Sequence, residues 1–323
     1  MYNRRNFLQM TALAAAGTML ASKGLLAKPA PAALNAVGLQ LYTLRDELAK
    51  DAKGTIEKVA AAGYAHVETF YHYTTATAKA DYWGLTPKEL KALLAANNLK
   101  TYSGHYQLND FLTRGNGNMD ALKIQLEIAQ ELGQHYLVVP VPPFMLIDKM
   151  KAADYQFMAS QMNKAGELCK KAGMQLGYHN HFWEFKTQDN GKTGYDILLS
   201  ETQKDLVIFE LDLFWITKAG FKPTDYFKKY PGRFPMWHVK DMDKNMPNPI
   251  PADSLNHGHV MNIVQSIRYA EVGSGVVDFK DIFAAQKTAG LKHIFVEQDN
   301  IYMSDKFESI KQSIDYIKQH LLK

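Results

Sequence analysis

Residues 170–181 read KKAGMQLGYHNH, and this stretch joins a helix end, a buried strand and two histidines. The Ala-Gly pair ends the helical run, because glycine readily adopts the left-handed conformation found at helix C-termini. The same order of helix, Ala-Gly and strand recurs at 60–70 (AAAGYAHVETF) and at 287–298 (KTAGLKHIFVEQ). The recurrence indicates one βα unit that is used several times along the chain.

Eight strand candidates alternate with helical patterns between residues 34 and 323. In order they are AVGLQLYTL, AHVETF, LKTYSGHY, HYLVVPV, MQLGYHNHF, LVIFELDL, FPMWHVKD and KHIFVEQ. Most are continuous apolar runs, which are typical of parallel strands buried on both faces. We therefore predict an α/β protein with a single (β/α)8 TIM barrel domain over residues 34–323. A doubly wound open sheet is the alternative, but no GxGxxG motif follows the first strand.

The first 33 residues have the pattern of a targeting signal. Arg4 and Arg5 precede Phe7, and an apolar, alanine-rich stretch runs from Met10 to about Ala21. This pattern resembles a twin-arginine export signal; an ordinary signal peptide with a fortuitous arginine pair is the alternative. The apolar stretch is shorter than the ~20 residues that a membrane span needs. We expect residues 1–33 to be a cleaved signal peptide, with a periplasmic protein and no membrane attachment after cleavage.

The composition is that of a soluble globular protein, with 46% hydrophobic and 22% charged residues in a chain of 323. The net charge is +4, and the basic residues are scattered through helical stretches. We interpret them as solvated helix faces and expect no nucleic-acid partner. The single cysteine, Cys169, cannot form an internal disulfide or a cysteine metal site. A homo-oligomer is compatible with the sequence.

Side chains suited to metal binding and proton transfer stand at the ends of the predicted strands. They are Glu68, His105, His179, His181, Asp212, His238, Lys240 and Glu297. The carboxyl ends of parallel barrel strands meet on one face, so we expect these side chains to converge there. The metal ligands that we predict, from four adjacent strands, are His179, Asp212, His238 and Glu297. Two imidazoles and two carboxylates suit Mn, Zn, Co, Mg or Fe(II). His181 shares a strand face with His179 and is an alternative ligand.

Several phrases resemble the sugar isomerase/epimerase-like barrels. This superfamily includes xylose isomerase, tagatose and psicose epimerases, inosose isomerases and dehydratases, and endonuclease IV. The phrases are GLQLYTLRDEL, GYHNHFWEF, ELDLFW, HVKD, EVGSGVVDF and FVEQD. The resemblance implies that Asp212, His238 and Glu297 occupy the metal-ligand positions of the sixth to eighth strands. The fifth strand differs, because His179 or His181 stands where the epimerases have a glutamate that also moves the proton.

The resemblance implies a metal-dependent isomerase or epimerase that acts through an enediolate on a sugar or keto-sugar. Glu297 would then be both ligand and base, and His181 or His105 the second acid/base group. Lys240 would polarise a substrate oxygen. A lyase or hydrolase that acts by β-elimination on 3-keto-glycosides is an alternative, because elimination needs no symmetric pair of glutamates. An endonuclease IV-like nuclease and a non-catalytic sugar-binding barrel are further alternatives.

Four further side chains are predicted to contact the carbohydrate substrate. Tyr42 and Trp183 offer aromatic faces near strand ends, and Glu68 ends the second predicted strand. Glu271 precedes the glycines of EVGSGVVDF, a turn that closes over the substrate in the family. The long segment from Met242 to Ala270 is expected to be an insertion over the strand ends, as a lid or an oligomer contact.

Overall fold

The computed structural model describes residues 34–70, 81–246, 249–250 and 260–322. Eight parallel strands in this part of the chain close into a barrel, and the first strand pairs with both the second and the last. The barrel strands are β1 (Gly38–Gln40), β2 (His66–Phe70), β3 (Lys100–His105), β4 (Tyr136–Val139), β5 (Gln175–His179), β6 (Val207–Asp212), β7 (Met236–Val239) and β10 (His293–Val296). The predicted single-domain (β/α)8 barrel is confirmed.

Helices connect the barrel strands. They are α1 (Arg45–Lys50), α2 (Ala52–Ala61), α3 (Pro87–Ala96), α4 (Asn109–Leu112), α5 (Asp120–Leu132), α6 (Ala152–Lys171), α7 (Gly194–Glu201), α8 (Leu213–Lys218), α9 (Pro223–Lys229), α10 (Val260–Ser266), α11 (Phe279–Ala284), α12 (Gln286–Ala289) and α13 (Lys306–His320). Short 3-10 helices span Leu41–Leu44, Phe144–Leu146 and Trp183–Phe185. An antiparallel pair, β8 (Asp241–Met242) and β9 (Tyr269–Ala270), stands beside the barrel. In the described ranges no helix has both the length and the apolar character to cross a membrane.

Local sequence explains where several of these elements begin and end. Thr86 caps α3: its hydroxyl accepts a hydrogen bond from the Glu89 amide at 3.2 Å, and the Glu89 carboxylate accepts one from the Thr86 amide at 2.8 Å. The glycines of the three Ala-Gly phrases, Gly63, Gly173 and Gly290, have φ of 97°, 76° and 79°. A residue with a side chain would be strained there, so glycine allows each helix to turn directly into a strand.

An apolar cluster fills the middle of the barrel. It contains Val138, Ile208, Met236 and Phe295 from four different strands. A Cβ atom on Gly177 would lie 3.0 Å from Val138 Cγ2, so a larger residue at this level of β5 would require its neighbours to shift by a few tenths of an ångström. The larger core lies between the strands and the surrounding helices.

The alternation of side chains along a strand places the polar residues above this cluster. Ile208 points inward, so Glu210 and Asp212 on the same strand also point inward. Met236 and Phe295 also point inward. His238 and Glu297, each two residues further along the same strand direction, therefore point inward as well. The barrel therefore carries its acids and imidazoles on the inner face, towards the carboxyl ends of the strands.

Candidate active site

A cavity of about 630 Å³ opens at the carboxyl ends of the barrel strands. Its polar floor is formed by His105, His179, His181, Glu297 and Asp299. Its aromatic walls are formed by Tyr42, Phe70, Trp183, Trp215 and Tyr269. This is the face on which TIM-barrel enzymes hold their active sites, so the cavity is the candidate active site.

The structure brings the four predicted metal ligands together. One donor atom from each of His179, Asp212, His238 and Glu297 lies within 4.8 Å of the other three. His179 Nε2 is 3.7 Å from Asp212 Oδ2, and His238 Nδ1 is 2.8 Å from Glu297 Oε2. Asp212 Oδ2 is buried and accepts no hydrogen bond from the described residues. Two imidazoles and two carboxylates at these separations fit a divalent transition-metal ion.

Glu210 lies behind these ligands. Its Oε2 atom is 2.8 Å from His105 Nε2, 3.1 Å from His179 Nδ1 and 3.2 Å from His238 Nε2. A carboxylate behind a ligating histidine fixes the ring and leaves its other nitrogen to face the metal. Because the Nδ1 atom of His179 faces Glu210, its Nε2 atom faces Asp212.

A second group of donors, His105, His179, Glu210 and His238, meets the same distance criterion. In that group the Nε2 atom of His238 is 3.2 Å from Glu210 Oε2, but it is also only 2.7 Å from Glu68 Oε2. The first group has two carboxylates, of which Glu297 lines the cavity and lies 2.8 Å from the opposite nitrogen of His238. The first group is therefore the better candidate for the metal.

Glu68 is completely buried behind the imidazoles and does not line the cavity. Its Oε2 atom accepts a hydrogen bond from Gln40 Nε2 at 2.7 Å and is 3.2 Å from His105 Nε2. Burial would raise the pKa of Glu68, but His105 and His238 outweigh it and lower the pKa. These contacts make Glu68 a positioning residue for His105 and His238; its predicted substrate contact stays a prediction.

Lys240 is buried among three carboxylates. Its Nζ atom is 2.8 Å from Glu297 Oε2, 3.0 Å from Asp299 Oδ1 and 3.2 Å from Asp212 Oδ2. Burial would lower the pKa of Lys240, but Asp212, Asp299 and Glu297 raise it well above its usual value. Burial would raise the pKa of Glu297, but Lys240 and His238 outweigh it and hold the pKa well below its usual value. The site therefore contains a charged ammonium beside a charged glutamate.

Two further histidines line the cavity in different charge states. Burial, with Lys240 nearby, lowers the pKa of His181 well below its usual value, so this imidazole is neutral. Its ring stacks on Trp183 at 4.3 Å, and its Nδ1 atom has no hydrogen-bond partner among the described residues. Burial would lower the pKa of His105 as well, but Glu68 and Glu210 raise it to about 9. The cavity thus offers one neutral and one cationic imidazole.

The remaining predicted substrate contacts occupy different places. Trp183 and Tyr42 line the cavity, and Tyr42 lies on its rim with the Arg45 guanidinium 4.4 Å from its ring. Glu271 does not line the cavity; its Oε1 atom accepts a hydrogen bond from Ser309 Oγ at 2.7 Å. The predicted contact between Glu271 and the substrate stays a prediction.

The turn after Glu271 is held by Asp241. The Asp241 carboxylate accepts hydrogen bonds from the amides of Gly273 and Gly275 at 2.9 Å each and from Val277 at 3.1 Å. A Cβ atom on Gly275 would lie 2.2 Å from the Met242 carbonyl oxygen. The glycine there permits close contact between two backbone segments beside the site.

Three further residues of the site, Glu210, Asp299 and Arg45, were not predicted from the sequence. Glu210 could have been found, because an acid in the middle of an apolar strand on the same face as Asp212 is unusual. Asp299 accepts a hydrogen bond from Tyr269 at 2.6 Å as well as binding Lys240. Arg45 donates to the Asp299 carbonyl at 2.7 Å, a contact between residues 254 apart that no local pattern indicates.

The fold and the site define the class of this protein as a TIM barrel with a candidate metal centre at the strand ends. The chain belongs to the xylose isomerase-like TIM barrel family, which matches residues 56–320. The family resemblance inferred from the sequence is thereby confirmed. The proposed export signal lies outside the described residues.

Individual relatives agree with this assignment. The structure is similar to that of a sugar phosphate isomerase/epimerase from Parabacteroides distasonis, with a TM-score of 0.72, 27% identity, and coverage of 91% of this chain and 98% of that chain. An inosose dehydratase from Clostridium botulinum is 27% identical over 169 residues, 51% of this chain and 54% of that protein. Another from Geobacillus thermodenitrificans is 24% identical over 280 residues, 82% of this chain and 88% of that protein. The chain thus matches about half the length of the first dehydratase and most of the second.

Proposed function

We propose that this protein is a divalent-metal-dependent enzyme that acts through an enediolate on a sugar or keto-sugar, as an isomerase or epimerase. The observation that carries the proposal is the group of four buried donors, His179, Asp212, His238 and Glu297, of which His179 and Glu297 line the cavity. Membership of a family of sugar isomerases, epimerases and dehydratases supports it.

The four donors would hold the metal ion. When bound, such an ion would polarise a substrate carbonyl and acidify the neighbouring C–H bond. Glu297 lies on the cavity and is kept ionised by Lys240 and His238, so its carboxylate can accept the C–H proton. The Lys240 ammonium lies 2.8 Å from Glu297 and can stabilise negative charge that develops on a substrate oxygen.

Reprotonation determines the product. If the proton returns to the neighbouring carbon, the product is an isomer; if it returns to the opposite face of the same carbon, the product is an epimer. Glu297 supplies one face, so the opposite face needs another group. His105 is protonated and lines the cavity, which makes it the candidate acid.

Elimination is the second candidate function, and His181 favours it. This imidazole is neutral, lines the cavity and has an unpartnered Nδ1 atom in the described structure. In a 3-keto-glycoside the C2–H bond and the C1–O bond would break, a C1–C2 double bond would form, and the departing oxygen would take a proton. A neutral histidine that accepts the C2 proton could deliver it to that oxygen. The relatives named inosose dehydratase agree with an elimination, because a dehydratase removes water.

One experiment tests the proposal and separates its branches. The purified protein is analysed for metal, loaded with Mn(II), and incubated in D₂O with a panel of ketoses, aldoses and 3-keto-glycosides. Isomerisation or epimerisation gives a product of unchanged carbon skeleton with deuterium at the reacting carbon. Elimination gives a lighter product together with the released alcohol or water, both seen by mass spectrometry.

The matched control is Glu297→Gln, which keeps the side-chain size and removes the base. Deuterium incorporation or release by the wild type and not by this variant supports the proposal. Absence of exchange and of release with every substrate, in protein shown to contain the metal, would refute it.

A further inference from the structure

The candidate active-site cavity has two chemically different halves. The floor carries the imidazoles and carboxylates, whereas the outer half is apolar. The outer half is lined by Val141, Phe144, Met145, Ile147, Val260 and Val264. Among the lining residues between positions 140 and 148, only Asp148 is charged. A substrate that fills the whole cavity must therefore be polar at one end and apolar at the other.

Exposed apolar side chains are concentrated on the rim of this outer half. Five large hydrophobic side chains are exposed in the described part of the chain, and three of them line the cavity. These three are Tyr42, Phe144 and Met145, with exposures of 38%, 52% and 84%. Exposed apolar side chains that lie together often mark a binding site, whereas single scattered ones need no explanation.

The segment that presents Phe144 and Met145 is ordered by its own sequence. Pro140, Pro142 and Pro143 restrict the backbone before the 3-10 helix Phe144–Leu146. The Phe144 amide donates a hydrogen bond to Asn109 Oδ1 at 3.3 Å. Two exposed apolar side chains on a restrained segment form a surface that needs little ordering when a ligand binds.

The size and charge of the cavity also favour a ligand with an apolar part and no phosphate group. A volume of about 630 Å³ lies within the range that holds drug-sized ligands, so a sugar ring on the floor would leave the outer half unfilled. Arg45 is the only lysine or arginine among the described lining residues. Its guanidinium already donates to the carbonyls of Tyr42 and Asp299 and to the Asn300 side chain. Among the described residues of the cavity, a phosphate group would find no cluster of lysine or arginine side chains.

We propose that the outer half binds an apolar aglycone, aromatic by preference, so that the substrate is a keto-glycoside, whose ring ketone supplies the carbonyl, rather than a free sugar or a sugar phosphate. The inference rests on the proposed function, because the polar floor must hold the sugar ring. Trp183 and Trp215 line the wall of the cavity beside the floor, where the sugar would give way to the aglycone.

The test compares matched methyl and phenyl glycosides of glucose, galactose, mannose and xylose. Their binding to the full-length, Mn(II)-loaded protein is measured by calorimetry and by the fluorescence of the cavity tryptophans. We expect the phenyl member of at least one pair to bind about ten- to a hundredfold more tightly, because an apolar ring is removed from water. The double variant Phe144→Ser/Met145→Ser should reduce this preference to within about threefold. The control Val276→Ser alters another exposed apolar residue, which does not line the cavity, and should retain the preference.

Two results would overturn the inference. One is a phenyl preference below about threefold for every sugar. The other is a phenyl preference that survives in the double variant. If that variant keeps the preference and changes only the sedimentation coefficient, the rim is a contact between copies of this chain instead. Binding is read without turnover, so phenyl preference in metal-containing protein that shows neither deuterium exchange nor release with any substrate refutes the proposed function alone. Exchange of free ketoses without phenyl preference refutes this inference alone.

Discussion

Lys240 is the counter-ion of the buried carboxylates, and its replacement gives the sharpest test of the site. The substitution Lys240→Met keeps the unbranched stem and removes the ammonium from Asp212, Glu297 and Asp299, which lie 2.8 to 3.2 Å from Nζ. Without the cation these carboxylates repel one another in a buried site. We expect the metal-free variant to be strongly destabilised.

The magnitude follows from these separations. At about 3 Å and an effective dielectric constant of about 20, each ion pair contributes roughly 5 kcal/mol before desolvation is subtracted. Desolvation of the ammonium offsets much of this, and breaking a buried pair costs about 3–5 kcal/mol in practice. We therefore expect the free energy of unfolding of the metal-free protein to fall by about 3–5 kcal/mol. For a domain of this size the corresponding loss in Tm is about 5–8 °C.

The assay is urea unfolding and thermal unfolding of the protein after EDTA treatment, with and without added Mn(II). Added metal should stabilise Lys240→Met more than the wild type, because a divalent cation replaces the lost charge beside Asp212 and Glu297. The control is Lys280→Met, an exposed position, where we expect a change within about 0.5 kcal/mol. A variant within 1 kcal/mol of wild type in EDTA, or equal stabilisation of both proteins by Mn(II), would show that Lys240 does not neutralise the site.

Four further predictions concern metal, catalysis, acid stability and export. Asp212→Ala should remove most of the roughly one metal ion expected per chain; elemental analysis with unchanged metal content would exclude this residue as a ligand. Glu297→Gln should abolish turnover while the circular dichroism spectrum stays native, and activity within a few-fold of wild type would place the base elsewhere. Burial lowers the pKa of His66 to about 4 in the folded protein. Between pH 6.5 and 4 the unfolded chain therefore protonates His66 while the folded protein keeps it neutral. Stability should be full above pH 6.5 and fall by up to about 3 kcal/mol towards pH 4, and His66→Phe should flatten this slope in urea titrations. Arg4→Lys/Arg5→Lys should retain the protein in the cytoplasm of a bacterium with twin-arginine export, and periplasmic recovery of this variant would argue for an ordinary signal.

The barrel was predictable because its signals are local. Apolar runs of strand length, Ala-Gly helix ends and one capping box each depend on neighbours in the sequence, and the structure has the expected βα order. Element ends were less predictable. The first strand stops at Gln40, whose side chain accepts a hydrogen bond from the Tyr42 amide and starts a 3-10 helix. The fifth strand stops at His179, and the His181 amide instead donates to Glu184 at 2.8 Å.

The sequence by itself determined which side chains could converge on a candidate metal site. Strand alternation and the common direction of parallel strands placed Asp212, His238 and Glu297 on one inner face, and both properties can be counted along the chain. Only the tertiary structure decided what each group does there. Glu68 lies 2.7 Å from His238 Nε2 across 170 residues of sequence, and the other ring nitrogen of His238 lies 2.8 Å from Glu297. Protonation and ligand roles depend on distances between strands that are remote in sequence, and no local pattern encodes those distances.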